Sequence, residues 1–231
     1  MSRFLVLLCL LLTGAAMPQT AKDSLGDTLP SGAVQRLGTL RMRLTGVSGL
    51  AYLHDGRGVV LVGGQVELWD LATGQRQSTT KVSPATLSSV QVRPDGQALL
   101  LSDGEGWVRE WDLATLAELR AWQTGQRAIR TACYSPDGKR VLTAADNPPG
   151  LKEWDLATGR ELVAIKSNMV SIRAGAIYGP GAQTAILGGG YEHQLERWDL
   201  AGGELVKQWR SVYEVKSLAL APDEKSVLMG C

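Results

Sequence analysis

Side chains able to do chemistry are scarce in this 231-residue sequence. Two histidines occur, His54 and His193. His54 opens an HDGRG turn at a position where the other turns of the chain carry Pro, and reads as a surface residue. His193 closes a Tyr-Glu-His loop and reads as exposed. Gly188, Gly189 and Gly190 form a glycine run, but no Lys and no helix follow it, so it reads as a hairpin loop rather than a phosphate cradle. Asp55, Asp95, Asp137, Asp155 and Asp223 could suggest calcium. They stand singly in turns, and calcium needs several oxygens converging on one point. No His, Cys, Asp or Glu cluster has metal-ligand spacing, and no serine lies in a nucleophile elbow. The sequence therefore assigns no catalytic residue, no metal ligand and no cofactor site.

Cysteine usage and charge narrow the classes further. Cys133 lies in an apolar strand pattern and reads as a small buried side chain. Cys231 is the last residue and reads as exposed. With Cys9 in the leading apolar run, two remaining cysteines make no disulfide framework. The formal net charge is +1. No strong field draws in nucleic acid or an anionic membrane, and neither is expected as a partner.

Residues 1–16 read as a secretory signal peptide. Arg3 supplies the positive start, residues 4–12 are apolar without a break, and Gly14 and Ala16 are small residues before a cut. That run is too short to span a bilayer comfortably. The protein is expected to be exported, with no membrane contact beyond this signal. Residues 17–36 mix Pro, Gly, Asp, Ser and Thr without periodicity and read as a flexible leader.

Residues 37–231 are repetitive, and the repeat must position everything else. Trp69, Trp111, Trp154 and Trp198 are each followed by an aspartate: Asp70, Asp112, Asp155 and Asp199. A second marker runs in phase with them: HDGRG, RPDGQ, SPDGK and APDEK, with YGPGAQ in degraded form between the last two. Each unit divides into four short strands. In the third, the first strand covers 129–135 and ends at a Pro-Asp-Gly turn, where Pro presets φ and Gly accepts positive φ. Strands follow at 140–145, 151–154 and 161–166. The intervening 147–150, with two prolines, is expected to be a loop outside any ladder.

These motifs resemble the WD40 repeat family, whose units are blades of a β-propeller. The resemblance covers 37–231 and implies an all-β, WD40-type propeller of four full blades and part of a fifth. It implies that the four tryptophans wedge between neighbouring blades and that each following aspartate bonds backbone N–H groups of its own turn. It also places Ser48, Ser88, Arg130, Ala174 and Lys216 at the openings of the first strands, near a central opening. Of these, Ser48, Ser88, Arg130 and Lys216 are the candidate partner-binding residues. Departures from the family pattern are visible. No Gly-His pair occurs, and only Asp103 and Asp146 fill the usual aspartate slot. The family's hydrogen-bonded tetrad is therefore not expected, leaving packing to order the blades. Leu116 replaces a turn glycine, so that turn is expected to be built differently. Trp107, Trp122 and Trp209 lie outside the Trp-Asp slots, as outer-strand cover or interface anchors.

Four units and part of a fifth fall short of the family's usual ring. A longer chain, a five-blade ring completed by a strand at 37–43, and association of two chains all remain open. The expected function is a non-catalytic scaffold that binds a protein or peptide. A propeller hydrolase with its site in the central channel, and a structural segment of a larger surface protein, are the alternatives.

Overall fold

The computed structural model describes residues 22, 26–29, 31, 33, 44–189, 193–221 and 225–230. The expected signal peptide, the strand at 37–43, Asp223 and Cys231 lie outside the described residues. The chain divides into two compact units, Met1–Arg41 and Met42–Cys231. In the first, Lys22 and Thr28 form an antiparallel bridge inside the stretch expected as leader.

The second unit is all-β, and each sheet is made of consecutive strands. The first sheet runs β1 (Val47–Tyr52), β2 (Arg57–Val62), β3 (Gln65–Asp70) and β4 (Gln75–Lys81). The second runs β5 (Leu87–Val92), β6 (Ala98–Asp103), β7 (Trp107–Asp112) and β8 (Glu118–Gln123). The third runs β9 (Arg127–Tyr134), β10 (Arg140–Asn147), β11 (Pro149–Asp155) and β12 (Glu161–Lys166). The fourth runs β13 (Ile172–Tyr178), β14 (Thr184–Gly189), β15 (Gln194–Asp199) and β16 (Leu205–Arg210). A pair, β17 (Ser217–Leu220) and β18 (Val227–Gly230), follows. All pairings are antiparallel.

Local chemistry explains why the chain folds back so often. In the Pro-Asp-Gly turn after β9, Gly138 takes φ +68° and its N–H donates to Ser135 O at 2.8 Å. The Asp137 carboxylate accepts from Lys139 N and Ser135 Oγ. The Trp-Asp turns work as expected: Asp70 accepts from Thr73 N, Asp155 from Thr158 N and Oγ1, and Asp199 from Gly202 N.

Two turn expectations need correction. Leu116 does not change its turn. It adopts the left-handed conformation itself, φ +53°, and its N–H reaches Asp112 O at 2.9 Å. Gly159 makes the same bond to Asp155 O at 2.8 Å. The left-handed form costs an L-residue about 1–2 kcal/mol. Leu116 offsets this by packing against the cluster around Leu99 and Leu113, a gain of similar size. Nor is 147–150 a loop outside the ladder: β10 runs to Asn147, β11 starts at Pro149, and Asp146 pairs with Pro149. A proline at the first position of a strand removes no bond that the strand needs.

The cores lie between sheets. The second strands are buried on both sides; all six residues of β6 are buried. Leu61 and Leu68 meet Leu87, Leu99 and Leu101 between the first and second sheets. Leu100 and Val108 meet Ile129, Val141 and Trp154 between the second and third. Cys133, Leu142 and Leu151 meet Ile172, Leu187 and Trp198 between the third and fourth. Ile186 and Leu195 meet Leu218 and Val227 beyond them. Trp122 supports this packing, its ring 6.4 Å from that of Trp154. One four-stranded sheet cannot cover both its faces, and stacking in chain order covers them.

Polar groups also tie the sheets, contrary to the expectation that packing alone orders them. Trp154 Nε1 donates to Thr143 Oγ1 at 3.0 Å, and Thr143 Oγ1 donates to Gln126 Oε1 at 2.8 Å, all buried. A glutamine thus ends a chain for which the sequence offered no histidine. In the fourth sheet Glu196 Oε2 accepts from Trp198 Nε1 and from Ser167 Oγ, both at 2.9 Å. Asp103 accepts from Ser83 Oγ at 3.1 Å.

Candidate functional site

The first strands of successive sheets lie side by side: β1 against β5, β5 against β9, β9 against β13, and β13 against β17. Close approach needs small residues at the seam. Gly175 on β13 has φ +75°, and a Cβ there would overlap the Thr131 side chain of β9. Glycine satisfies both demands at once.

The first strands β1, β5, β9 and β13 each carry an irregularity near the start, and each releases a residue singled out from the sequence. Pairing of β1 with β2 passes from Gly49↔Leu61 to Val47↔Val62, leaving Ser48 without a partner. In β5 the unpaired residue is Ser88, and in β9 it is Arg130. In β13 two residues are passed over, Arg173 and Ala174. Lys216 stands just before β17, its N–H bonded to Gly230 O at 2.8 Å. A bulge frees a side chain from the ladder and re-aims it.

The released side chains meet. Ser48, Ser88, Arg130, Arg173, Ala174 and Lys216 all line one open recess of about 620 Å³, to which all five first strands contribute. All four candidate partner-binding residues are therefore brought together. Arg173 was missed from the sequence because motif alignment selected only its neighbour Ala174. Its signal was present: Arg130, Arg173 and Lys216 recur at intervals of 43 residues.

Charge in the recess is partly balanced. Arg130 Nε donates to Asp146 Oδ2 at 2.9 Å. The other oxygen of Asp146 accepts from Ile172 N, so one carboxylate both steadies Arg130 and holds β13. Arg173 Nε lies 3.6 Å from Glu214 Oε1. Lys216 is exposed and has no ion-pair partner among the described residues. Hydroxyls complete the wall: Ser88 and Ser89 share Ser102 Oγ, at 2.9 and 2.6 Å, and Ser89 Oγ accepts Ala132 N at 3.0 Å. The lining thus presents cations and hydroxyls, groups that hold an anion or a polar chain.

The other candidates separate. Trp69, Trp154 and Trp198 are buried and Trp111 half-buried; they are parts of the core and do not line the recess. His54 is exposed on its turn. His193 is half-buried rather than exposed, with φ +53° and its carbonyl accepting from Ser211 N at 2.6 Å. Burial pushes the Cys133 thiol up to about 12, which suppresses the reactive thiolate. Trp107 is half-buried under Arg109, and Trp209 is 39 % exposed on β16. Trp209 lines a second, apolar recess of about 410 Å³ with Ile186, Leu195 and Met229. Among the described residues no three His, Cys, Asp or Glu side chains come together in a metal-binding group, and no helix is long and apolar enough to cross a membrane.

No protein-family model matches the chain, and no curated protein sequence is significantly similar to it.

Proposed function

We propose that the chain is an exported WD40-type β-propeller, complete in four blades and partial in a fifth, that docks a protein or peptide partner without catalysing a reaction. Four antiparallel sheets of four consecutive strands, with their first strands side by side, support the propeller reading. The Trp-Asp motifs at Trp69–Asp70, Trp111–Asp112, Trp154–Asp155 and Trp198–Asp199 support the family. The apolar run at residues 4–12 supports export.

The single observation that carries the function is the recess. Four first strands each release one or two residues into the same space, and Lys216 joins them from just before β17; Ser48, Ser88, Arg130, Arg173 and Lys216 are hydrogen-bond donors or cations. Rigid strands below and a polar opening above suit docking, because little ordering is needed on binding.

A random-peptide phage library panned on the full chain tests this reading. Ser48→Trp narrows the recess from an exposed position whose side chain makes no hydrogen bond among the described residues. Peptides that bind the wild type and lose at least tenfold affinity for the variant are the expected result. Binders indifferent to Ser48→Trp, or no binders, would refute it.

A further inference from the structure

The recess selects for charge as well as shape. We infer that it takes an acidic peptide segment, held through side-chain carboxylates by Lys216 with Arg130 and Arg173 beside it. This rests on the docking reading above and adds the chemistry of the partner.

Three observations lead there. The three cations recur at the same point of three successive repeats, 43 residues apart. In β9 and β13 that point is the irregularity itself, so Arg130 and Arg173 are turned out of the ladder into the recess. A surface arginine in a regular register would have had no such convergence. The whole chain carries a formal net charge of only +1, so this concentration is local.

The balance of charge decides the class of anion. Among the described residues Asp146 faces Arg130, Glu214 faces Arg173, and no carboxylate pairs with Lys216. One surplus positive charge suits carboxylates arriving one at a time along a chain. A dianionic phosphate would leave a negative charge over among Asp146 and Glu214. Arg130 is held at 2.9 Å by a carboxylate that also anchors Ile172, and Arg173 lies 3.6 Å from Glu214, so Lys216 is the cation that meets the ligand first. Hydroxyls of the lining, Ser48 and Ser217, complete a site for carboxylate oxygens and peptide carbonyls.

The test analyses the composition of the selected peptides and then titrates the best binder by fluorescence anisotropy. Asp and Glu should be enriched at least twofold over the input library, and Lys and Arg depleted. The same peptide with Asn for Asp and Gln for Glu should bind at least tenfold more weakly to wild-type protein. Lys216→Gln should weaken the acidic peptide and Lys216→Glu should weaken it further, at least tenfold in all. Lys216 is exposed and makes no ion pair among the described residues, so neither change threatens folding. Raising ionic strength should weaken binding to the wild type, a readout that needs no variant.

A binder that depends on the recess but is indifferent to the amide replacement, to Lys216→Glu and to salt would overturn the acidic assignment and leave docking intact. Preference for phosphoserine peptides over Asp or Glu peptides would overturn it in favour of phosphate. Binders that ignore Ser48→Trp would remove the docking reading itself, and this inference with it.

Discussion

The phenol of Tyr178 on β13 donates to the carboxylate of Glu153 on β11 of the preceding sheet, at 3.0 Å. One sheet earlier Tyr134 does the same to Glu110, at 2.9 Å. Arg140 completes the first contact, at 2.8 Å from Glu153, and reaches on to Ala182 O in the connection between β13 and β14. Arg93 and Arg120 complete the second. Arg120 Nε lies 2.9 Å from Glu110 Oε2 but is poorly aligned for a hydrogen bond; the contact is an ion pair. The same glutamate–tyrosine contact thus joins two successive sheet boundaries, with arginines drawn from different strands.

Breaking it by removing the carboxylate is the costly direction. Glu153→Ala leaves the Tyr178 hydroxyl buried without its acceptor and Arg140 without its counter-ion, a loss of about 3 kcal/mol. Tyr178→Phe removes one bond and leaves Arg140 paired, at about 1 kcal/mol. Urea unfolding followed by tryptophan fluorescence checks both values. A Glu153→Ala protein within 1 kcal/mol of wild type would mean that the contact carries no weight.

The four motif tryptophans are unequal. Trp154 donates to Thr143, whereas Trp111 Nε1 is buried with no acceptor among the described residues. Trp154→Phe is therefore expected to cost about 1 kcal/mol more than Trp111→Phe. Paired unfolding curves decide it, and equal or reversed losses would contradict the hydrogen-bond account.

Acid should weaken the turns. Asp155 is held below the ordinary carboxylate value of 3.8, first by the Thr158 hydroxyl and then by Thr158 N–H. Asp137 is lowered by Ser135 and Lys139, and Asp95 chiefly by Arg93. A carboxyl lowered in the folded state contributes stability above its unfolded value and loses it as pH falls toward the folded one. The expected loss begins near pH 4 and deepens below it. Asp155→Asn should flatten that slope relative to wild type in unfolding curves taken between pH 5 and 2.

Alkali should weaken the core by the opposite sign. Cys133 is raised from 9.0 to about 12 by burial, and burial, with Glu110 and Glu153 adding to it, lifts Tyr134 and Tyr178 above 10. Groups raised on folding contribute fully below their unfolded values, and that contribution drains as pH rises past them. Stability should fall from about pH 9 upward. Iodoacetamide labelling at pH 8, mapped by mass spectrometry, should leave Cys133 unmodified in native protein and modify it in urea. Rapid labelling of native Cys133 would show that its cover opens.

Much of the fold was legible because its causes are local. Pro-Asp-Gly and Asp-x-x-Gly close turns within four residues, and apolar runs of strand length between them fix the elements. The third unit's last strand reads from the sequence as 161–166 and is Glu161–Lys166. Leu116 misled because sequence shows the absence of glycine but not the apolar cluster that holds a leucine in the same conformation.

The site was legible by position and not by mechanism. In the structure Ser48, Ser88 and Arg130 lie near the starts of β1, β5 and β9 and Lys216 just before β17, while the irregularities that turn the first three out of the ladder depend on partners across each sheet. The buried glutamates show the same limit. Glu67, Glu110, Glu153 and Glu196 recur every 43 residues. Glu67 and Glu196 stand two residues before their tryptophan and accept its N–H. Glu110 and Glu153 stand one residue before theirs and accept a tyrosine of the next sheet. One residue of offset reverses the face in a strand of period two. By itself, then, the sequence determined the repeat, the turns and the all-β class, because these follow from interactions a few residues apart. Tertiary structure alone decided which glutamate meets which sheet and which arginines face the recess, because those contacts join residues some 16 to 41 apart along the chain.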